Sequence, residues 1–346
     1  MKKYIIFSVL LALTLTACNE KDDGPGDDVI EGVDLRHEYD GKIVEIQKAS
    51  KGSGINIVMM GDGYLASDIA DGSYEEVMRK ASDYLFLLQP MKSLKEFFNI
   101  YLITTVSMSS ALDGMSALGC IVYNSSVNGN PSGSVMTQRA KKYVQKLPNY
   151  DEKNTFACII INSHNYGGVT YYPWHADEET NYDNLISYAY STLHEEGIDG
   201  QEFKNTLQHE TVGHAFAKLA DEYVYTTSSY ASATTSARNQ VKNIYWPKYW
   251  YYNIAGTNTQ SDDLPWKAFM DDPDYASEHL GFYEGANYYR AGYWRATENS
   301  IMRDTQGDVH FNAPSRYAIY LRTIMLGEGR VPTVDEFKTF DKAHRD

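Results

Sequence analysis

The chain has 346 residues, 43% of them hydrophobic and 22% charged, which excludes a disordered or collagen-like polypeptide and suits one large domain or two ordinary ones. Lys+Arg total 31 against 46 Asp+Glu, and the resulting charge of −15 argues against a general nucleic-acid binder, which must neutralise phosphates. Three cysteines exclude both a disulfide-built mini-scaffold and a thiolate zinc cluster, whereas 29 tyrosines suggest wet binding surfaces as well as core.

The chain opens with Lys2 and Lys3, an apolar run over residues 4–13, and then Leu15-Thr16-Ala17-Cys18. The run is short for a bilayer span and polar sequence follows it, so it reads as a signal peptide. The small residues before Cys18 resemble a bacterial lipobox, which implies cleavage before Cys18 and acylation of its thiol. Residues 1–17 are therefore expected to be a lipoprotein signal peptide, 18–32 an acidic Gly/Pro tether, and 33–346 the folded domain. Acidic residues just after Cys18 resemble the surface-export signals of Bacteroidetes lipoproteins, so the expected location is the outer membrane or cell surface, with membrane contact through the lipid. Loss of the leader takes the charge to −17. The remaining Cys120 and Cys158 are either one disulfide or two buried thiols, and Cys158 lies in an apolar run that favours the thiol.

Residues 42–46 and 55–60 read as strands, the second stopping at Gly61-Asp62-Gly63-Tyr64. Ser67-Asp68 can cap a helix whose apolar spacing runs over 74–89 and ends before Pro90. A second strand-like run covers 97–106. Residues 107–133 form a long Ser/Gly/Asn-rich stretch around an apolar patch at 120–123, and a loop of that length inside a domain is usually functional. A helix over 135–147 and a third buried strand over 155–162 complete an alternating α/β layer plan. Gly167-Gly168 then suggest either a bend or close backbone approach of the kind a peptide-accepting edge needs, or a plain turn.

A further helix starts near Gly200 and carries Phe203, Leu207, Val212, Phe216 and Leu219. Within it, His209-Glu210-Thr211-Val212-Gly213-His214 pairs two histidines with a glutamate, the residue types of a helical zinc site in which imidazoles hold the ion and Glu activates water. The usual spacing is four. Here it is five, which on a regular α-helix separates the side chains by about 140° and prevents chelation. An i→i+5 π-bulge restores a common face, and Gly213 is a plausible place for it.

The string His209 to His214, followed by Leu219-Ala220-Asp221-Glu222-Tyr223, resembles the IgA-peptidase-type family of zinc metallo-endopeptidases. Residues 55–64, 97–101, 283–286, 298–304 and 311–316 resemble further blocks of that family, so the likeness spans 55 to 325 in order. It implies a zincin-like α/β metalloprotease domain with a mixed sheet, an active-site helix and an irregular aromatic-rich C-terminal subdomain. It also implies Zn2+ held by His209 and His214, with Glu210 as general base and a protein or peptide as substrate. Asp221 is the first choice for third ligand, which requires the helix to break between His214 and Asp221 although no glycine marks a break; Glu222 and Glu298 stay open. Met302, in Asn299-Ser300-Ile301-Met302-Arg303-Asp304, resembles the methionine turn that floors the metal in metzincins.

Tyr283, Tyr288, Tyr289 and Arg316 are candidates for a second oxyanion donor. The aromatic stretches 245–252 and 171–174 are candidates for a cleft lining or for loop packing. A competing reading keeps the scaffold without the activity, as a surface lipoprotein that binds host glycan or protein. A serine or cysteine hydrolase is disfavoured, because no Gly-x-Ser-x-Gly elbow is present. Substrate specificity and oligomeric state have no signal in the sequence.

Overall fold

A computed structural model describes residues 38–123, 126–129, 134–172 and 186–345, with the backbone alone for 126–129 and 134. The chain divides into two units, Met1–Asp34 and Leu35–Asp346, and all described residues belong to the second. The expected leader 1–17, the tether 18–32 and Cys18 lie outside the described residues, as do Pro173 and Trp174.

Eleven strands occur among the described residues: β1 Ile43–Gln47, β2 Ile55–Asp62, β3 Phe98–Ile103, β4 Cys120–Tyr123, β5 Ser126–Gly129, β6 Thr155–Ile161, β7 Gly168–Tyr171, β8 Ser187–Thr192, β9 Ile254–Ala255, β10 Tyr283–Ala286 and β11 Tyr289–Arg295. Six form one sheet in the order β1-β3-β2-β6-β8-β7. Its four central strands are parallel, and β1 and β7 join the edges antiparallel. Every residue of β2, β6 and β8 is buried, because a parallel sheet covered on both faces has no solvent side to make polar. That is why these runs stand out in the sequence.

Alternate residues of β2 serve opposite faces. Ile55, Ile57 and Met59 join a core shared with helices α1 (Ser73–Tyr84), α3 (Gln201–Leu207), α4 (Ala313–Glu328) and α5 (Val334–His344), while Val58 and Met60 face α2 (Ser134–Val144). Within the long stretch, residues 116–120 are fastened to buried Asp62, whose carboxylate accepts from Ser116 Oγ at 2.7 Å and from the backbone N–H of Leu118 and Cys120, both at 2.9 Å. β2 continues through Gly61 and Asp62, past the expected end, because both stay in the ladder with β6, opposite Ile160 and Ile161. Ser67 and Asp68 lie inside a five-residue helix, Ala66–Ala70, whose start is closed by Asp68 accepting from Leu65 N–H at 2.7 Å. Cys120 and Cys158 are free, buried thiols.

α3 continues as a nine-residue π-helix, Gln208–Phe216. Phe216 anchors its end to the sheet, with ring centroids 5.3 Å from Phe98 and 5.1 Å from Phe156. Truncating such a core Phe to Ala costs about 3–5 kcal/mol. From Ala217 to Asn312 the chain is irregular, with short helical turns, the small sheet β10-β11-β9 and dense tyrosine contacts.

Candidate metal centre

The five-residue spacing of His209 and His214 is accommodated by π-helical winding through the whole segment, more than the single bulge expected. It ends with Ala217 N–H donating to Val212 O at 2.9 Å. Gly213 has a different use. A Cβ there would collide with Met302 Sδ and lie 2.9 Å from Met302 Cε, so its missing side chain lets the methionine lie directly against the helix. Met302 is fully buried.

The helix breaks at Lys218, which adopts left-handed backbone (φ 58°), a conformation the sequence gives no reason to expect of a lysine. Its carbonyl accepts from Tyr251 N–H at 2.9 Å, and its buried Nζ donates to Ala215 O at 2.7 Å and to Ser187 Oγ. The ammonium position lies 4.9 Å from the Tyr172 ring centroid and 5.5 Å from that of Trp250. Burial, and then Arg322, hold its pKa well below that of an ordinary lysine. The reversal at this residue carries the chain back and sets Asp221 beside both histidines.

His209 Nε2 and His214 Nε2 are 3.1 Å apart, and Asp221 Oδ1 lies 3.1 Å from the first and 3.0 Å from the second. All three residues are buried. Each imidazole bonds a carbonyl with its far nitrogen: His209 Nδ1 to Ile301 O at 2.9 Å and His214 Nδ1 to Leu219 O at 2.8 Å. Those bonds put a proton on each Nδ1, so that the neutral form of each ring presents an Nε2 lone pair, and two such nitrogens and a carboxylate oxygen face one point. Burial works against charge on His214, but Asp221 overcomes it and lifts the imidazole to about 9; burial likewise works against charge on Asp221, which the imidazoles nevertheless hold far below the carboxylate range. The pocket therefore favours a positive charge among these atoms.

This donor set fits zinc. Four-coordinate bonds of about 2.0–2.1 Å separate ligand atoms by about 3.3–3.4 Å, close to the edges of this triangle, and three protein ligands leave one position open. Among the described residues it is the one group of three His, Cys, Asp or Glu side chains convergent enough to hold an ion. The other candidate ligands lie elsewhere. Glu222 is buried in a polar cluster, accepting from Ser300 Oγ at 2.8 Å, Asn253 Nδ2 at 3.0 Å and Asn312 Nδ2 at 3.3 Å, and Glu298 is exposed. Glu222 N–H also donates to Met302 O at 2.8 Å, so this acid secures the methionine turn.

Glu210 projects from the same segment, with Oε1 4.0 Å from His209 Nε2. Thr170 Oγ1 on β7 bonds its Oε2 at 2.8 Å and its carbonyl at 2.9 Å. A Cβ on Gly168 would meet Thr206 Cγ2 at 2.7 Å and Glu210 Cγ at 2.8 Å, so the glycine at this edge is required by close approach. Burial raises the pKa of Glu210, offset in part by the two histidines.

Two cavities flank the centre. One of ≈ 520 Å³ is bounded by Tyr166, Thr206, Tyr223, Arg303 and Gln306, and one of ≈ 240 Å³ by Tyr172, Tyr225, Tyr251 and Tyr288. Gly168, Val169, Glu210, Tyr223 and Tyr225 line both. Of the aromatic stretches, Tyr172 and Tyr251 reach this cleft, while Trp246 and Trp250 are buried and Tyr171 packs on the α2 side of the sheet. Three of the four oxyanion candidates have their polar groups engaged elsewhere. Tyr283 donates to His279 O at 2.9 Å, Arg316 pairs with Glu278 and Asp341, Tyr289 packs on Tyr230 and Tyr293, and Tyr288 donates to Asp221 Oδ2 at 2.5 Å. Burial, and then the Asp221 charge, push the Tyr288 hydroxyl far above its ordinary range, so it stays a donor.

The family model for IgA Peptidase M64 matches residues 44–271 and 258–323. The chain belongs to this peptidase family. The M64 family comprises metallopeptidases, so membership makes the chain a hydrolase and implies a metal, in agreement with the His/Asp cluster. The match runs through the mixed sheet, the π-helix and the methionine turn, and the fold is that of a zincin-like peptidase domain. No curated protein matches the chain.

Proposed function

We propose that this M64 peptidase is a zinc-dependent endopeptidase in which His209, His214 and Asp221 hold the ion and Glu210 is the general base. The observation that carries the reading is the triangle of donor atoms, 3.0–3.1 Å on each edge, beside a buried carboxylate. When bound, zinc supplies Lewis-acid polarisation of a carbonyl and acidifies water.

The chain's own residues do the rest. Thr170 occupies Oε2 of Glu210 and leaves Oε1, on the side of His209, to take a proton from water and return it to the departing amine. Burial raises the basicity of Glu210 toward the working range. Residue β7 Gly168 keeps the sheet edge within reach of this carboxylate. β7 pairs with β8 alone in the sheet order, and an edge strand can add an extended peptide by backbone hydrogen bonds. Cavities on both sides of the centre suit chain continuing in both directions, which favours internal cleavage. Tyr223, which lines both cavities, stacks at 6.5 Å on the His209 ring and hydrogen-bonds Tyr225, is a further candidate for oxyanion donor.

The natural setting proposed is the outer membrane or cell surface, with Cys18 acylated and extracellular protein or peptide as substrate; no nucleic acid is involved. Labelled fatty acid should enter the wild-type chain in bacteria and not Cys18→Ser. Purified protein should hold one zinc per chain and cleave members of an unbiased peptide library, and Glu210→Gln should keep the zinc and lose cleavage. A wild-type chain without stoichiometric metal, or a Gln variant that cleaves equally well, would overturn the assignment.

A further inference from the structure

The hairpin between β10 and β11 turns at Asn287 and Tyr288, both in left-handed backbone (φ 48° and 72°). A bulky non-glycine residue rarely adopts this conformation, and where it does the surroundings must hold it there. Three backbone bonds do so. Asn287 N–H donates to Asp221 O at 2.8 Å, Tyr288 N–H to Tyr223 O at 3.1 Å, and Tyr225 N–H to Tyr288 O at 2.8 Å. The hairpin is thus tied to the segment that returns Asp221 to the histidines. The Tyr288 ring is held as tightly, stacked on Tyr225 with centroids 5.0 Å apart and planes at 10°, and edge-on to Tyr223 at 5.5 Å.

All of this aims one hydroxyl at one oxygen. Tyr288 Oη donates to Asp221 Oδ2 at 2.5 Å, while Oδ1 of the same carboxylate faces His209 Nε2 and His214 Nε2. The two oxygens of Asp221 therefore have separate duties. A carboxylate without such a partner can pivot and chelate through both oxygens, filling the coordination position that a hydrolytic site keeps open. We propose that Tyr288 is a positioning residue that keeps Asp221 a one-oxygen ligand, its phenol occupying Oδ2 so that Oδ1 alone meets the ion. The inference rests on the reading that His209, His214 and Asp221 hold a metal, and it adds what sets the denticity of the third ligand.

The test uses the full chain and reads the metal rather than turnover. In Tyr288→Phe the ring and its stacking remain and the hydroxyl is lost. Chelator competition should show zinc held about 10–100-fold more weakly, the range for loss of a partner that orients a ligand. With cobalt(II) in place of zinc, the visible bands should weaken as Oδ2 swings in and coordination rises from four to five. Tyr230→Phe, which changes a neighbouring ring that packs on Tyr288 at 6.0 Å, should leave both readings unchanged. Equal zinc affinity and an identical cobalt spectrum in Tyr288→Phe would overturn the inference and leave the metallopeptidase reading intact; absence of zinc from wild type would overturn that reading itself. Should the Phe variant not fold, zinc-edge X-ray absorption of wild type decides, because a second Asp oxygen in the coordination sphere contradicts the proposal and a single one supports it.

Discussion

The sheet and the irregular stretch after the π-helix contribute different halves of the centre. From the sheet edge come Gly168 and Thr170, which position Glu210. From the irregular stretch come Asp221, the carbonyls of Leu219 and Ile301 that orient the histidines, and Met302 against the helix. The regular region thus supports the base, and the irregular region supports the cation. Substitutions on the two sides should accordingly separate turnover from metal retention.

The largest effect is expected at Glu210. Glu210→Gln keeps the volume and removes the base, and kcat for peptide cleavage should fall by about 10²–10⁴-fold with zinc content unchanged. Loss of metal in that variant would mean that the base and the cation share one support, and the division drawn above would fail. Gly168→Ala asks the same question from the sheet. The added methyl meets Glu210 Cγ at 2.8 Å and must displace the carboxylate, so kcat should drop about 10²-fold while the zinc dissociation constant holds. On the other side, Glu222→Ala leaves Ser300 Oγ without its acceptor and takes one of two acceptors from each of Asn253 Nδ2 and Asn312 Nδ2. Thermal or urea denaturation should register a loss of about 2–3 kcal/mol, and zinc should dissociate faster as the methionine turn loosens. A variant as stable as wild type that holds zinc equally well would remove Glu222 from the support of the site.

The sequence conveys these two regions unequally, and the reason is physical. β2 and β6 are legible because burial on both faces demands unbroken apolar runs. The π-helix is legible from a five-residue histidine spacing that no regular helix can use. Neighbouring Asp221 and Glu222 are chemically alike, and only tertiary contacts send one to the histidines and the other to Ser300. Lys218 hides the helix break, since local rules look for glycine there and the left-handed lysine is held by Tyr251, Ser187 and Ala215. The block 245–252 divides for the same reason, with Trp246 and Trp250 in the core and Tyr251 at the cleft. Long-range packing decides each of these cases, and composition is blind to it.

Lys218 supplies a pH signature for the irregular side. Its buried amine has a pKa well below the ordinary lysine value of 10.5, because burial disfavours the ammonium and Arg322 adds to it. Between the folded and unfolded pKa values the unfolded chain binds the extra proton, so stability rises with pH in that window. Descending from pH 10.5, wild type should therefore lose stability by up to about 1.4 kcal/mol per pH unit until the folded amine itself protonates. Lys218→Met keeps the aliphatic stem and removes the titration, so its own unfolding free energy should lack this slope, and its advantage over wild type should grow as the pH falls through the window. An unchanged slope would mean that the amine keeps its proton in the fold, held by Ala215 O and the two aromatic rings, and that the chain reversal leading to Asp221 closes around a cation instead of a neutral amine.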